Sequence, residues 1–293
     1  MTTIPTVQIP GVYHRKIGDI VVTALSDGYL DGSLEVLRNI TPEQGAELLR
    51  QNFRPVPRRT SVNCFAIHSA GRLALIETGS GNYMGPTVGW LQRNLKAAGI
   101  DPAKIEAVFL THMHPDHSCG LTDMTNGKPL FPNAELRAHE NELPHWLDDG
   151  AMSRATEREK ALYYQATREQ TAPYLNRMRT FKGGEVFPGI TAVPIHGHTP
   201  GHTGYLIESG NEQLLIWGDI VHVPEVQIPH PEVTIAFDTD PDAAAATRKR
   251  IFDMVATDRL LIAGMHVHFP GFANLVKRND GYVLLQEPWR QVL

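Results

Sequence analysis

Three histidines and an aspartate fall within six residues, His112-Met113-His114-Pro115-Asp116-His117. Imidazoles and a carboxylate at that density suit zinc, manganese, iron or cobalt, and the absence of thiolate argues against a purely structural zinc. In an extended stretch, side chains at i and i+2 point the same way, so His112 and His114 can converge on one ion. Pro115 marks an expected turn, after which Asp116 and His117 can face a second ion beside the first. The bland alternative is a solvated polar loop. The position of the run weighs against it: Ile105 to Leu110 reads as a strand leading straight into Thr111. A loop at a strand end is held where the sheet puts it.

Four donors do not fill two metal sites that must also hold a nucleophile. Three further strand ends offer more: His196-Gly197-His198-Thr199-Pro200-Gly201-His202 after Ile190 to Ile195, Gly218-Asp219 after Gln213 to Trp217, and Met265-His266-Val267-His268 after Leu260 to Ala263.

The elements that must position these groups follow from the apolar pattern. Ile20 to Leu25 reads as a strand. Ser61 to His68 and Arg72 to Thr78 read as a pair joined at Ser69-Ala70-Gly71. Gly85 to Ala98 shows helical spacing, with Val88, Leu91 and Leu95 at i, i+3 and i+7 and Gly99 as a stop. Residues from about Glu140 to Arg179 read as helical with a break near Pro173. Thr203 to Ile207 is a further strand, Pro241 to Val255 a helix with Pro in its first turn, and Tyr282 to Leu285 the last strand. The predicted architecture is α/β: two packed mixed sheets with helices on the outer faces. The expected organisation is one domain over residues 1–293 with a helical insertion at about 140–180.

Bulk properties exclude several classes. Hydrophobic residues make up 42% and charged residues 20% of the 293, which suits a globular chain and not a disordered one. A formal net charge of −5 gives no basic face for nucleic acid and no polybasic run for a lipid surface. No apolar run approaches a membrane span. Cys64 and Cys119 are too few for a disulfide framework, and Met1 to Asp19 shows no signal-peptide pattern, so a cytoplasmic location is expected. Cys119 reads as a buried small side chain, and His14, His68, His139 and His230 as structural or solvated. Arg54 to Arg59 reads as a solvated basic loop or a partner contact.

The order H-x-H-x-D-H, G-H-T-P-G-H, W-G-D and G-M-H resembles the metallo-β-lactamase superfamily. Val22 to Gly28, Ile76 to Gly79, Leu95 to Gly99 and Phe269-Pro270-Gly271 are similar to methyl parathion hydrolase and the related quorum-quenching lactonases. The resemblance implies an αββα sandwich with metals at one edge between the sheets. It also implies that His112, His114 and His198 hold one ion, that Asp116, His117 and His266 hold the other, and that Asp219 bridges them. In that pattern His202 makes a structural hydrogen bond, and His196 and His268 are neighbours. A cysteine or serine where Asp219 stands would have suited a β-lactamase better.

Two divalent ions, zinc first, would activate a bridging water for attack on a lactone or other carboxylic ester. Asp116 could orient it or pass a proton to the leaving group. Organophosphate triester hydrolysis is the close alternative, and a non-hydrolytic di-iron redox or metal-binding module a remote one. His222 stands where many acyl-homoserine lactonases have a tyrosine; it reads equally as a donor to substrate or as a surface or gate residue. Trp146, Met84, Phe65 and Phe269 are candidate walls of an apolar pocket for a small neutral ester or lactone. A homodimer is a candidate assembly, in which Met1 to Arg15 could exchange between subunits.

Overall fold

The computed structural model describes residues 4–278 and 281–293. Two seven-stranded sheets form the centre. In the first, Val12–Ile17 (β1), Ile20–Gly32 (β2), Arg58–Ser69 (β3), Arg72–Ile76 (β4), Ala107–Phe109 (β5), Glu135–His139 (β6) and Met178–Phe181 (β7) lie side by side in chain order. The second runs Gly184–Phe187 (β8), Ile190–Pro194 (β9), Thr203–Ser209 (β10), Glu212–Ile216 (β11), Leu261–Ala263 (β12), Phe272–Arg278 (β13) and Gly281–Gln286 (β14). Both are mixed. Pairs β4–β5, β5–β6, β6–β7 and β11–β12 are parallel and the rest antiparallel.

Period-two alternation sorts the strand side chains into layers. Val22 and Ala24, Phe65 and Ile67, Ala74 and Ile76, and Phe109 meet Ile190, Tyr205, Ile207, Leu214, Ile216 and Phe272 in the core between the sheets. Their neighbours Leu25, Cys64, Ala66, Leu75 and Val108 face the opposite way. There they pack against Leu91 and Leu95 of the helix Leu91–Ala97 and against Trp146, Tyr164 and Tyr174. Leu215 and Ile262 of the second sheet pack on Ile251, Phe252 and Val255 of the helix Pro241–Thr257. Strands covered on both faces read as near-continuous apolar runs, which is why the sequence shows them so clearly. The arrangement is the expected αββα sandwich.

The helix Leu91–Ala97 is shorter than its periodicity suggests. Gly85 and Gly89 adopt φ of 109° and 87°, which no right-handed helix contains. Asp27, at a bulge in β2, instead accepts hydrogen bonds from the amides of Gly89 and Leu91. The stretch read as helical resolves into short helices from Glu142–Leu147 to Ala166–Thr171, and it tightens to a 3-10 turn over Ala172–Arg177 at Pro173. Val12 to Arg15 pair with Val22 to Leu25 of the same chain. Met1 to Thr3 lie outside the described residues. Among the described residues, no helix is long and apolar enough to cross a membrane.

Candidate metal centre

Each candidate donor sits just past a strand end. His112 to His117 follow β5, His198 follows β9, Asp219 follows β11 and His266 follows β12. Sites at carboxyl ends of strands are a general property of α/β sheets, because the diverging loops leave a crevice there. His114 keeps an extended backbone (ψ 158°), and Pro115 then opens the short helix Pro115–Ser118. That turn is what swings Asp116 and His117 away from His112 and His114.

The donor atoms converge in two adjoining groups. His112 Nε2 and His198 Nε2 lie 3.0 and 2.9 Å from His114 Nδ1. Asp116, His117 and His266 form the other group. His266 Nε2 is 3.4 Å from Asp116 Oδ2, and His117 Nε2 is 3.7 Å from Asp116 Oδ1. Asp219 Oδ2 stands between the groups, 3.3 Å from His117 Nε2, 3.2 Å from His266 Nε2 and 3.4 Å from His198 Nε2. His222 joins them: its Nε2 is 3.0 Å from Asp219 Oδ2, and its ring stacks on His266. It is buried, so the surface reading of His222 does not hold.

The second ring nitrogens decide which lone pairs are free. His198 Nδ1 lies 2.7 Å from Asp238 Oδ1, and His266 Nδ1 lies 2.8 Å from the Ser61 carbonyl. Both Nδ1 atoms are therefore the protonated ones, and both Nε2 atoms present lone pairs to the cluster. Burial holds the His112 and His114 imidazoles well below their ordinary range, which keeps them neutral. Burial also opposes charge on His117, yet the carboxylates of Asp219, Asp116 and Glu77 lift its imidazole well above the usual value. Asp219 is buried too, but His117, His266, His222 and His112 hold its carboxyl well below the normal range. A cation, proton or metal, belongs among these groups. His117 Nε2 and Asp219 Oδ1 are buried without a hydrogen-bond partner among the described residues, as expected of atoms that serve an ion. Facing lone pairs, orphaned donors and an all-His/Asp set fit two divalent ions.

The surrounding contacts explain several motif residues. His202 accepts the Asp219 amide at Nε2, 2.9 Å away, and its Nδ1 is 3.1 Å from the Ile195 carbonyl, so it joins two strand-end loops and holds no place in the cluster. Gly218, at φ 56°, brings its backbone against that ring: a Cβ there would stand 2.4 Å from His202 Nε2. His268 turns outward to Glu225 at 2.7 Å, and His196 meets the His139 ring edge to face. Glu77 has φ 68°, a left-handed backbone that ends β4 and turns its carboxylate to the Thr111 amide (2.8 Å) and His117 Nδ1 (3.3 Å).

Glu142 was not singled out by sequence reasoning. Its buried carboxylate accepts the amides of Met113 (3.0 Å) and Gly201 (2.8 Å), the indole of Trp146 (3.0 Å) and the Thr199 hydroxyl. It thereby ties the His112–His117 loop to the loop of His198. Arg248 does similar work for the segment bearing His222 and Asp238, donating to the carbonyls of Ile220, Pro231 and Val233 at 2.6, 3.0 and 2.8 Å.

A cleft of about 430 Å³ opens onto His114, Asp116, Asp219, His222 and His266. Met84 lines it as expected, with Leu30, Val36, Leu162, Tyr163 and Phe237. The other three predicted walls are corrected. Phe65 is in phase with Ile67 and packs in the core between the sheets against Phe272. Phe269 packs at the edge of that core and lines grooves elsewhere. Trp146 is buried behind His114, drawn there by its bond to Glu142. Arg58 is corrected in the other direction. It is no solvated loop residue but a buried guanidinium at the start of β3, facing the cleft.

Fold and site together define a class. Residues 57–266 match the family profile of the metallo-beta-lactamase superfamily, and the chain belongs to that superfamily. Its fold is similar to that of the hydrolase AbOPH in the beta lactamase superfamily, with TM-score 0.91, 32% identity, and 97% of this chain and 100% of that one covered. AidC, a dizinc quorum-quenching lactonase solved in complex with a product, superposes with TM-score 0.90 at 25% identity over 96% of this chain and 99% of that one. In sequence, an N-acyl homoserine lactonase of Bacillus thuringiensis is 26% identical over 169 residues, 57% of this chain and 58% of that protein. A ribonuclease Z of Pyrococcus abyssi is 33% identical over 83 residues, 28% of this chain and 24% of the relative. The chain thus spans between a quarter and three-fifths of these two relatives.

Proposed function

We propose that this protein is a dinuclear metal-dependent hydrolase that cleaves lactones or other carboxylic esters. The observation that carries the reading is the convergence of seven His and Asp donors from four strand ends beside an apolar-walled cleft. His112, His114 and His198 would hold one ion, Asp116, His117 and His266 the other, and Asp219 would bridge them. Two such ions would supply a Lewis acid and an activated water at neutral pH. Asp238, Glu77 and the Ser61 carbonyl fix the His198, His117 and His266 rings, so the donors need little rearrangement to bind. Met84, Leu162, Tyr163 and Phe237 exclude water from the acyl or aryl part of the substrate. His222 opens on the cleft beside Asp219, where it can give a hydrogen bond to the scissile group or the leaving oxygen. That AidC is a dizinc lactonase supports the ester reading and zinc as the metal.

The test is a panel of one lactone, one aryl ester and one phosphotriester, run on wild type and on His222→Ala. Ester or lactone turnover exceeding phosphotriester turnover is expected, with His222→Ala lowering lactone kcat/KM by roughly 100-fold. Preferential phosphotriester cleavage would replace the ester reading, and unchanged kcat and KM in the variant would remove His222 from the chemistry.

A further inference from the structure

The cleft holds charge that the metal ligands leave unused. Three carboxylates line it, and each is already engaged. Asp31 pairs with Arg59 through two bonds of 2.8 and 2.9 Å. Asp116 faces His117 and His266, and Asp219 stands within the histidine cluster. Two arginines also line the cleft, Arg58 within it and Arg158, exposed, at its rim. Neither has a carboxylate within 4.0 Å among the described residues; Asp116 acts on Arg58 only from farther off and is committed to His117 and His266. Arg58 donates to Thr60 Oγ1 through Nη1 and leans on the Ser33 carbonyl through Nε at 3.4 Å. Its remaining N–H groups, chiefly on Nη2, donate to no protein group among the described residues. Nη2 lies against Gly32, where a Cβ would come within 2.9 Å, so a glycine at that position is what makes room for the guanidinium at the cleft wall.

A guanidinium taken from water without a carboxylate partner is costly, and its planar edge matches a carboxylate in two parallel hydrogen bonds. We infer that Arg58 is a specificity-determining residue that receives a carboxylate carried by the substrate. The favoured substrates are then amphipathic: an apolar body against Met84 and Phe237, a scissile ester at the metal centre, and an acidic end on Arg58. The inference rests on the hydrolase reading and narrows it, since an uncharged ester was the expectation from sequence.

The experiment uses matched pairs on the metal-loaded protein. Binding compares the non-cleaved glutaric acid monoanilide and valeric acid anilide by calorimetry, and turnover compares the corresponding mono-4-nitrophenyl glutarate and 4-nitrophenyl valerate. Wild type is expected to favour the acidic member of each pair by about ten-fold or more, and Arg58→Gln to bring the ratio to about one. Arg58→Lys, which keeps the charge without the planar edge, is expected to retain part of the preference and controls for folding. No acidic preference in wild-type binding, or a preference that survives Arg58→Gln, overturns the inference and leaves Arg58 as a support for Thr60 and Ser33. Binding decides the role of Arg58; the absence of turnover on either ester counts against the hydrolase reading instead.

Discussion

Glu142 offers the sharpest test of how the centre is held. Its two carboxylate oxygens accept three N–H groups and one hydroxyl from two loops and a tryptophan, all buried. Glu142→Gln keeps the volume but turns one oxygen into an amide nitrogen that faces donors. Oε2 serves Met113 and Trp146, and Oε1 serves Gly201 and Thr199, so the amide nitrogen strands two N–H groups in the first place, or the Gly201 amide alone in the second, where the Thr199 hydroxyl can turn to accept. Each stranded buried group costs about 1–3 kcal/mol, and the better orientation strands one, which puts the loss of unfolding free energy at about 1–3 kcal/mol. A domain of this size holds about 5–15 kcal/mol, so the variant folds but unfolds at clearly lower urea. Met113 lies between two donors and Gly201 three residues after another, so metal affinity falls as well, by about 10–100-fold in a chelator competition. Urea unfolding of both proteins, with and without metal, reads both effects. A change under about 0.5 kcal/mol with unaltered metal affinity would refute the claim that this carboxylate joins the loops.

Arg248 supports the opposite side of the site, and Arg248→Met strands three carbonyls while removing a buried charge. A loss of about 2–4 kcal/mol in urea unfolding is expected, with weakened metal binding because the segment of His222 and Asp238 is released; a neutral substitution would contradict it. Burial raises the Asp27 carboxyl from 3.8 to about 6 despite the amides of Ser80, Gly89 and Leu91. A raised carboxyl favours the folded state most when protonated, so its contribution is greatest below about pH 4 and declines as pH rises through 6, by at most about 3 kcal/mol. Infrared difference spectra should show a carboxyl titrating near pH 6 that Asp27→Asn lacks; no such band between pH 5 and 7 would contradict the assignment.

The site was legible where chemistry is local. His112 to His117 and Asp219 announce themselves by density and by the strands before them, and His198 is separated from His196 and His202, and His266 from His268, only by resemblance. What the sequence conceals are partners that arrive from far along the chain. Asp238 meets His198 across 40 residues and Glu142 meets Met113 across 29, and no local period marks either. Glu77 is hidden because a left-handed backbone, not a motif, turns it inward. Phe65 could have been placed from its own strand, since it shares phase with Ile67 and so faces the second sheet. Trp146 could not, because the helix face it occupies is chosen by the carboxylate one turn earlier. Arg58 was read with its basic neighbours, yet strand alternation separates it from Arg59, which pairs with Asp31 outside.

Metal content addresses the two-ion centre most directly. Elemental analysis of the purified protein, before and after dialysis against a chelator and again after readdition of zinc, should give about two divalent ions per chain, near zero, and about two again, with ester or lactone cleavage following the same course. Full activity in the metal-free sample, or a stoichiometry that stays near one with activity intact, would contradict it.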